Sequence, residues 1–314
     1  MPKLTLIGAG VLGSQIAYQA AYKGFDVSIW MHSPSSIERT KPKISELHAI
    51  YVQTLTKLIP LAGTDAPCPP GLIEDLKSLD AAHIKSLIER ADTAADALRY
   101  DLDLATALKD ADLIIEAMPE NPQLKAAFYK EAAPLIPENA ILATNSSTLV
   151  PSDFAALTGC ASRYLAMHFA NEIWIHNTCE IMGSAETSPE AMEKATAYAK
   201  AMGMYPLVLQ KEQPGYLLNT MLVPFLQAAE HLWVNDIADI ATIDEAWTLG
   251  TGAPAGPFRI LDVVGLKTAY EINSLDPRVK EEGSDAYKVA ERLKKMIDEG
   301  HLGLSAGEGF YKYK

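Results

Sequence analysis

From the amino terminus to Leu209, short apolar runs alternate with longer stretches whose apolar residues recur at helical spacing. The short runs predict strands at 3–7, 26–30, 113–117, 140–143, 164–167, 178–182 and 205–209. The longer stretches predict helices at 14–23, 35–59 (despite Pro42), 72–97, 123–135 and 189–202, with a proline-rich break at 66–71. Such alternation implies a mostly parallel sheet covered by helices. After Gln210 the pattern turns helical throughout, at 216–234, 242–249, 257–273 and 285–299, with Pro214 and Gly215 marking the change. Two domains are expected, 1–211 and 212–314.

The first strand runs into Gly8-Ala9-Gly10-Val11-Leu12-Gly13, and a helix opens directly after it. The first glycine suits a tight turn, the second lets a pyrophosphate approach the backbone, and the third lets helix and strand pack closely. The free N–H groups of the helix then face the phosphates. The fold class is therefore α/β, a Rossmann-type domain followed by an all-helical carboxyl-terminal domain. Gly8, Gly10, Val11, Leu12 and Gly13 are the expected cofactor contacts. The acidic residue that would bind the adenosine ribose at the end of the second strand is missing, and Met31 stands in its place. His32 and Ser33 are the substitutes at hand. Arg39, Lys41 and Lys43 follow; they read as solvated cations, although a 2′-phosphate would also suit them. NAD is the default cofactor and NADP stays open.

Composition narrows the classes. Of 314 residues, 48% are hydrophobic and 21% charged, as in an ordinary folded protein. A net charge of −13 and no long Lys/Arg run argue against nucleic acid and anionic membranes as partners. Cys68, Cys160 and Cys179 form no paired motif and are expected reduced. No signal-peptide pattern or membrane-length apolar run is present, so the cytoplasm is the expected location. HExxH, GxSxG and Cys/His clusters are missing, so no metal is expected.

Oxidation of an alcohol by hydride transfer needs a base for the hydroxyl proton, and histidine suits the task. His168 closes one apolar strand. Glu180 lies in the next, where an unpaired buried carboxylate would be costly. Two strands passing each other would join them; a core histidine and an unrelated edge glutamate is the bland alternative. Thr144-Asn145-Ser146-Ser147-Thr148 follows a strand, where ligands bind in such sheets or where helices are capped. Asn219 is an amide in an apolar helix start. Glu116, Glu120 and Lys125 cluster after another strand and are expected to be solvated.

Taken in order, GAGVLG, EAMPEN (116–121), TNSST (144–148), HFANE (168–172), the Glu180 strand, PGYLLN (214–219), GAPAGPF (252–258) and GEGFYKY (307–313) resemble the 3-hydroxyacyl-CoA dehydrogenase family nearly end to end. The resemblance implies His168 as base, Glu180 as its orienting partner, and Ser147 and Asn219 holding the substrate oxygen. It implies Asn171 as a support, and Glu120, Lys125 and Asn145 beside the cofactor. It further implies an acyl-CoA substrate in fatty-acid metabolism and a homodimer built on the helical domain. Three departures stand out: Met31, Glu172 where the family has proline, and a longer stretch at 61–98. Glu172 and Trp174 would favour a cationic or free-acid substrate, and relatives of the family act on carnitine, gulonate and other hydroxy acids. The remaining alternative is a non-catalytic protein that keeps the fold as a cofactor-binding module.

Overall fold

The computed structural model describes residues 1–313. The chain forms two compact units, which divide between Leu217 and Leu218.

The first unit is an eight-stranded sheet in the order β3-β2-β1-β4-β5-β6-β7-β8. The strands are β1 (Lys3–Ile7), β2 (Asp26–Trp30), β3 (Arg99–Asp101), β4 (Leu113–Glu116), β5 (Ile141–Thr144), β6 (Tyr164–Phe169), β7 (Thr178–Gly183) and β8 (Tyr205–Val208). The central strands are apolar on both faces and wholly buried in β4, β5 and β6, as parallel strands under two helical layers must be. Pairing is parallel from β3 through β6, and β7 runs antiparallel to β6. Strand order reverses beside β1, which places the glycine turn at the switch point where ligands bind in such sheets.

Six helices cover this sheet: α1 (Val11–Tyr22), α2 (Pro34–Leu58), α3 (Ala81–Ala97), α4 (Leu104–Leu108), α5 (Pro122–Ala132) and α6 (Pro189–Ala201). The α2–α3 pair docks on α1 through aromatic contacts. Tyr51 is fully buried, its ring 4.8 Å from Tyr18 and 5.4 Å from Tyr22, and its hydroxyl donates to Gln19 Oε1 at 2.6 Å. The helix expected at 72–97 begins later. Asp80 caps α3 by accepting from the His83 N–H at 2.8 Å, while Leu72, Ile73 and Leu76 plug the core from an irregular segment. β3 and α4 escaped the sequence pattern because elements of three and five residues carry too few positions to show a period.

The second unit comprises α7 (Leu218–Val234), α8 (Ile240–Thr251), α9 (Pro257–Val264), α10 (Leu266–Asn273) and α11 (Asp285–Asp298) around Leu226, Phe258, Leu261, Leu266 and Leu293. The helix expected at 257–273 is two helices, broken where Gly265 adopts φ +89°. Among the described residues, no helix is long and apolar enough to cross a membrane.

Candidate active site

The parallel strands β1, β2, β4, β5 and β6 end on one edge of the sheet. The chain leaves that edge at Gly8, Met31, Ala117, Asn145 and Ala170, so five sequence motifs distant along the chain share one rim.

The glycine turn has the shape a dinucleotide requires. Gly8 sits at φ +86°, a conformation that β-carbons disfavour. A β-carbon on Gly13 would lie 2.5 Å from the Gly8 carbonyl oxygen, so only glycine lets α1 start so close to β1. A β-carbon on Gly10 would meet nothing within 4 Å, which leaves the backbone open on that side. No side chain caps α1 and no acidic residue lies in its first turn. Val11 is exposed and Leu12 half-buried beside these first N–H groups, which have no partner inside the helix and suit an anion. The residues fit a pyrophosphate. At the neighbouring strand end Met31 is buried in the core, while His32 is exposed and Ser33 half-buried.

The antiparallel pairing of β6 and β7 sets His168 directly opposite Glu180. His168 Nδ1 lies 2.8 Å from Glu180 Oε2, and Nε2 lies 3.2 Å from Ser147 Oγ. The two partners are 8% and 2% exposed, so this is a buried ion-pairing geometry rather than a solvated contact. The other carboxylate oxygen of Glu180 accepts from the Leu217 N–H at 2.8 Å. The ring of Tyr216 stacks on the imidazole, with centroids 4.5 Å apart and planes 18° apart. Tyr216 holds this position at φ +54°, in the left-handed region that a tyrosine rarely adopts.

Below Ser147 lies a second buried network. Glu116 is fully buried and Lys125 is 1% exposed. The Lys125 ammonium donates to both Glu116 oxygens at 2.7 and 2.8 Å. Tyr129 and Thr144 hydroxyls donate to Glu116 Oε2, each at 2.8 Å. The expectation of solvated charges is thus corrected for these two: α5 packs its lysine onto the end of β4, where each charge satisfies the other. Glu120 lies further out and is exposed. One of its oxygens collects the Ser146 hydroxyl, the Ser147 and Thr148 N–H groups (each 3.0 Å) and the Thr148 hydroxyl (2.8 Å). Burial pushes its carboxyl up, but those hydrogen bonds and Lys125 outweigh it and hold the group below the usual range. Glu120 therefore shapes the loop that presents Ser147 to His168.

Asn145 Oδ1 accepts from the Phe169 N–H at 3.0 Å, fastening the end of β5 to the end of β6. Asn171 lies exposed on the loop after β6. Glu172 keeps its carboxylate outward, 4.0 Å from His176, and gives its N–H to Gln15 Oε1 at 2.8 Å. Trp174 is buried against Tyr51, with ring centroids 5.7 Å apart, and so supports the α2 packing. Asn219 belongs to the second unit, in the first turn of α7. Tyr216, Leu217 and Gln15 were not singled out from the sequence. Tyr216 and Leu217 lie inside the PGYLLN motif, where apolar neighbours masked their role. Among the described residues no group of three or more His, Cys, Asp or Glu side chains could hold a metal.

The sequence signature described as "3-hydroxyacyl-CoA dehydrogenase, NAD binding domain" matches residues 3–58 and 72–213, and that of the family's C-terminal domain matches 215–313. Of the unmatched residues 59–71, all but the first two fall in the stretch noted as longer than usual. A probable 3-hydroxybutyryl-CoA dehydrogenase of Deinococcus radiodurans is 30% identical over 99% of this chain and 100% of its own length. The human mitochondrial hydroxyacyl-coenzyme A dehydrogenase is 29% identical over 99% and 91%. Among solved structures, a diketoreductase described as acting on dicarbonyl compounds is 42% identical, with a TM-score of 0.85 over 100% of this chain and 99% of that one. The (S)-3-hydroxybutyryl-CoA dehydrogenase of Ralstonia eutropha is 26% identical, with a TM-score of 0.73 over 100% and 99%. Family signatures across both units, relatives matched end to end, and a glycine turn shaped for a dinucleotide converge: the chain belongs to the 3-hydroxyacyl-CoA dehydrogenase family and is an NAD-dependent oxidoreductase.

Proposed function

We propose that the protein interconverts a 3-hydroxyacyl-CoA and the corresponding 3-ketoacyl-CoA, with His168 as the general base. The observation that carries this reading is the hydrogen-bonded line from Glu180 through His168 to Ser147 at the carboxyl rim of the sheet. A carboxylate on Nδ1 keeps the neutral ring's proton there and leaves the Nε2 lone pair for a substrate hydroxyl. NAD, when bound at the glycine turn, supplies the hydride acceptor. His168 takes the hydroxyl proton as the carbon–hydrogen bond is oxidised, and Glu180 stabilises the imidazolium that results. In the reductive direction His168 returns that proton to the new alkoxide. Ser147 holds the substrate oxygen beside Nε2. Tyr216 covers the imidazole face and keeps water from it. The exposed Met221, Trp247, Leu249 and Val263 of the helical unit support a homodimer.

A second reading, a dehydrogenase of a free dicarbonyl or hydroxy acid, is favoured by Glu172 in place of proline and by the 42% identity to the diketoreductase.

The test is reduction of acetoacetyl-CoA, followed through loss of NADH and NADPH absorbance in parallel, beside a free dicarbonyl compound. Turnover of the thioester supports the first reading, and turnover of the free dicarbonyl alone moves the assignment to the second. On either substrate His168→Ala should lower kcat by about 10²–10⁴-fold and leave cofactor affinity nearly unchanged, whereas Glu180→Gln should cost less. Normal turnover by His168→Ala would remove the base assignment.

A further inference from the structure

The adenosine end of the cofactor site departs from the rest of the cleft in its chemistry. A carboxylate at the end of the second strand would accept from a ribose 2′-OH and repel a 2′-phosphate. Here Met31 occupies that point, 4% exposed, its N–H bound to the Asp101 carbonyl at 2.8 Å. Asp101 itself directs its carboxylate to the Ser28 hydroxyl. The chain then enters α2 with no acidic residue in the first turn. Ser33, at the N-cap, leaves the cap unbonded, and its Oγ instead lies 3.1 Å from Ser35 Oγ and 2.9 Å from Ser36 Oγ.

Arg39 completes the group. Its Nη1 lies 3.3 Å from Ser35 Oγ and its Nη2 2.9 Å from Ser36 Oγ, so the guanidinium folds back over the first turn. Among the described residues Arg39 forms no ion pair, whereas the neighbouring Lys41 is paired with Glu38 at 2.8 Å. With five donors and two hydroxyl partners, it retains N–H groups for an anion. The same helix also reaches the glycine turn: Lys43 Nζ lies 3.3 Å and Thr40 Oγ1 3.4 Å from the Ala9 carbonyl oxygen. The second and third turns of α2 are therefore packed against the pyrophosphate turn. In a chain of net charge −13, these cations stand against the overall field. Arg39 is exposed and Lys43 half-buried, each with the contacts just given.

We propose that the adenosine end of the cofactor site takes a 2′-phosphate, held by Arg39 and the hydroxyls of Ser33, Ser35 and Ser36, so that the protein binds NADP(H) at least as tightly as NAD(H). This rests on the dinucleotide reading of the glycine turn and needs nothing from the catalytic assignment.

The experiment is calorimetric binding of adenosine 2′,5′-bisphosphate, its 3′,5′-isomer and adenosine 5′-monophosphate to the full chain. The 2′,5′ compound should bind at least as tightly as the monophosphate and more tightly than the isomer of equal charge. Arg39→Ala should weaken it about tenfold or more, the effect of losing one charge-assisted contact, while shifting the monophosphate less than about twofold. Ser35→Asp, an exposed position where a helix start welcomes a carboxylate, should weaken the 2′,5′ compound and spare the monophosphate. Tighter binding of the monophosphate, equal binding of the two bisphosphates, or indifference to both substitutions would overturn the proposal alone. Failure of all three ligands to bind would overturn it together with the dinucleotide reading.

Discussion

At the residue scale, the site depends on charges taken out of water in matched sets. Glu180 and His168 were legible as residue types because a carboxylate in an apolar strand demands a partner. Their meeting was not legible, since it depends on an antiparallel register that sets one opposite the other. Glu116 and Lys125 look like ordinary surface charges in the sequence, and only packing shows them 0% and 1% exposed. Removing one partner of such a pair strands the other. Lys125→Met should therefore destabilise the protein by about 3–5 kcal/mol in urea unfolding. Adding Glu116→Gln should return part of that loss, because the amide keeps an acceptor for Tyr129 and Thr144 without the charge. An unchanged midpoint in the single variant would mean that the ion pair contributes nothing.

At the scale of elements, glycines and buried carboxylates fix the ends that propensity leaves vague. The terminal GEGFYKY motif reads as a family mark, and the structure gives its physical use. Asp262 in α9 accepts from the Phe310 N–H at 2.7 Å, the Tyr311 N–H at 3.0 Å and the Tyr313 hydroxyl at 2.8 Å. Asp244 in α8 accepts from the Phe258 N–H at 2.8 Å and the Tyr311 hydroxyl at 3.0 Å. The chain end is thereby sewn onto two helices. A β-carbon on Gly309 would lie 2.0 Å from Asp262 Oδ1, closer than any contact allows. Gly309→Ala should cost about 2–4 kcal/mol and lower Tm in a thermal scan, because the tail must leave the carboxylate. Unchanged Tm would show that the tail adds no stability.

At the scale of the whole molecule, stability should depend on pH through two carboxyls shifted in opposite directions. Glu230 is 1% exposed, with Asn273 Nδ2 donating to both its oxygens at 3.0 and 3.1 Å. Burial outweighs those bonds and pushes its pKa up from 4.5 to about 7. The folded state thus holds a proton that the unfolded state has lost. Its stabilising contribution is full below pH 4.5, declines as pH rises, and is lost above pH 7. Glu120, held below the usual range, contributes in the opposite sense, at neutral pH and with loss in acid. Glu230→Gln should flatten the fall of Tm between pH 5 and pH 8, and an unaltered slope would exclude Glu230 as its source.

The sequence by itself determined the strand-and-helix alternation, the glycine turn and the residue types of the catalytic line. Each rests on local rules: a period of apolar positions, a conformation only glycine takes easily, and a chemical need for a base. Tertiary structure decided what those rules do not reach. It joined the ends of β4, β5 and β6 on one rim, turned two supposed surface charges, Glu116 and Lys125, into a buried pair, set Glu120 to hold the Ser147 loop, and laid Tyr216 over His168. It also folded Arg39 back over the start of α2. Contacts between residues far apart in sequence depend on register and packing, and neither leaves a mark in any short window of the chain.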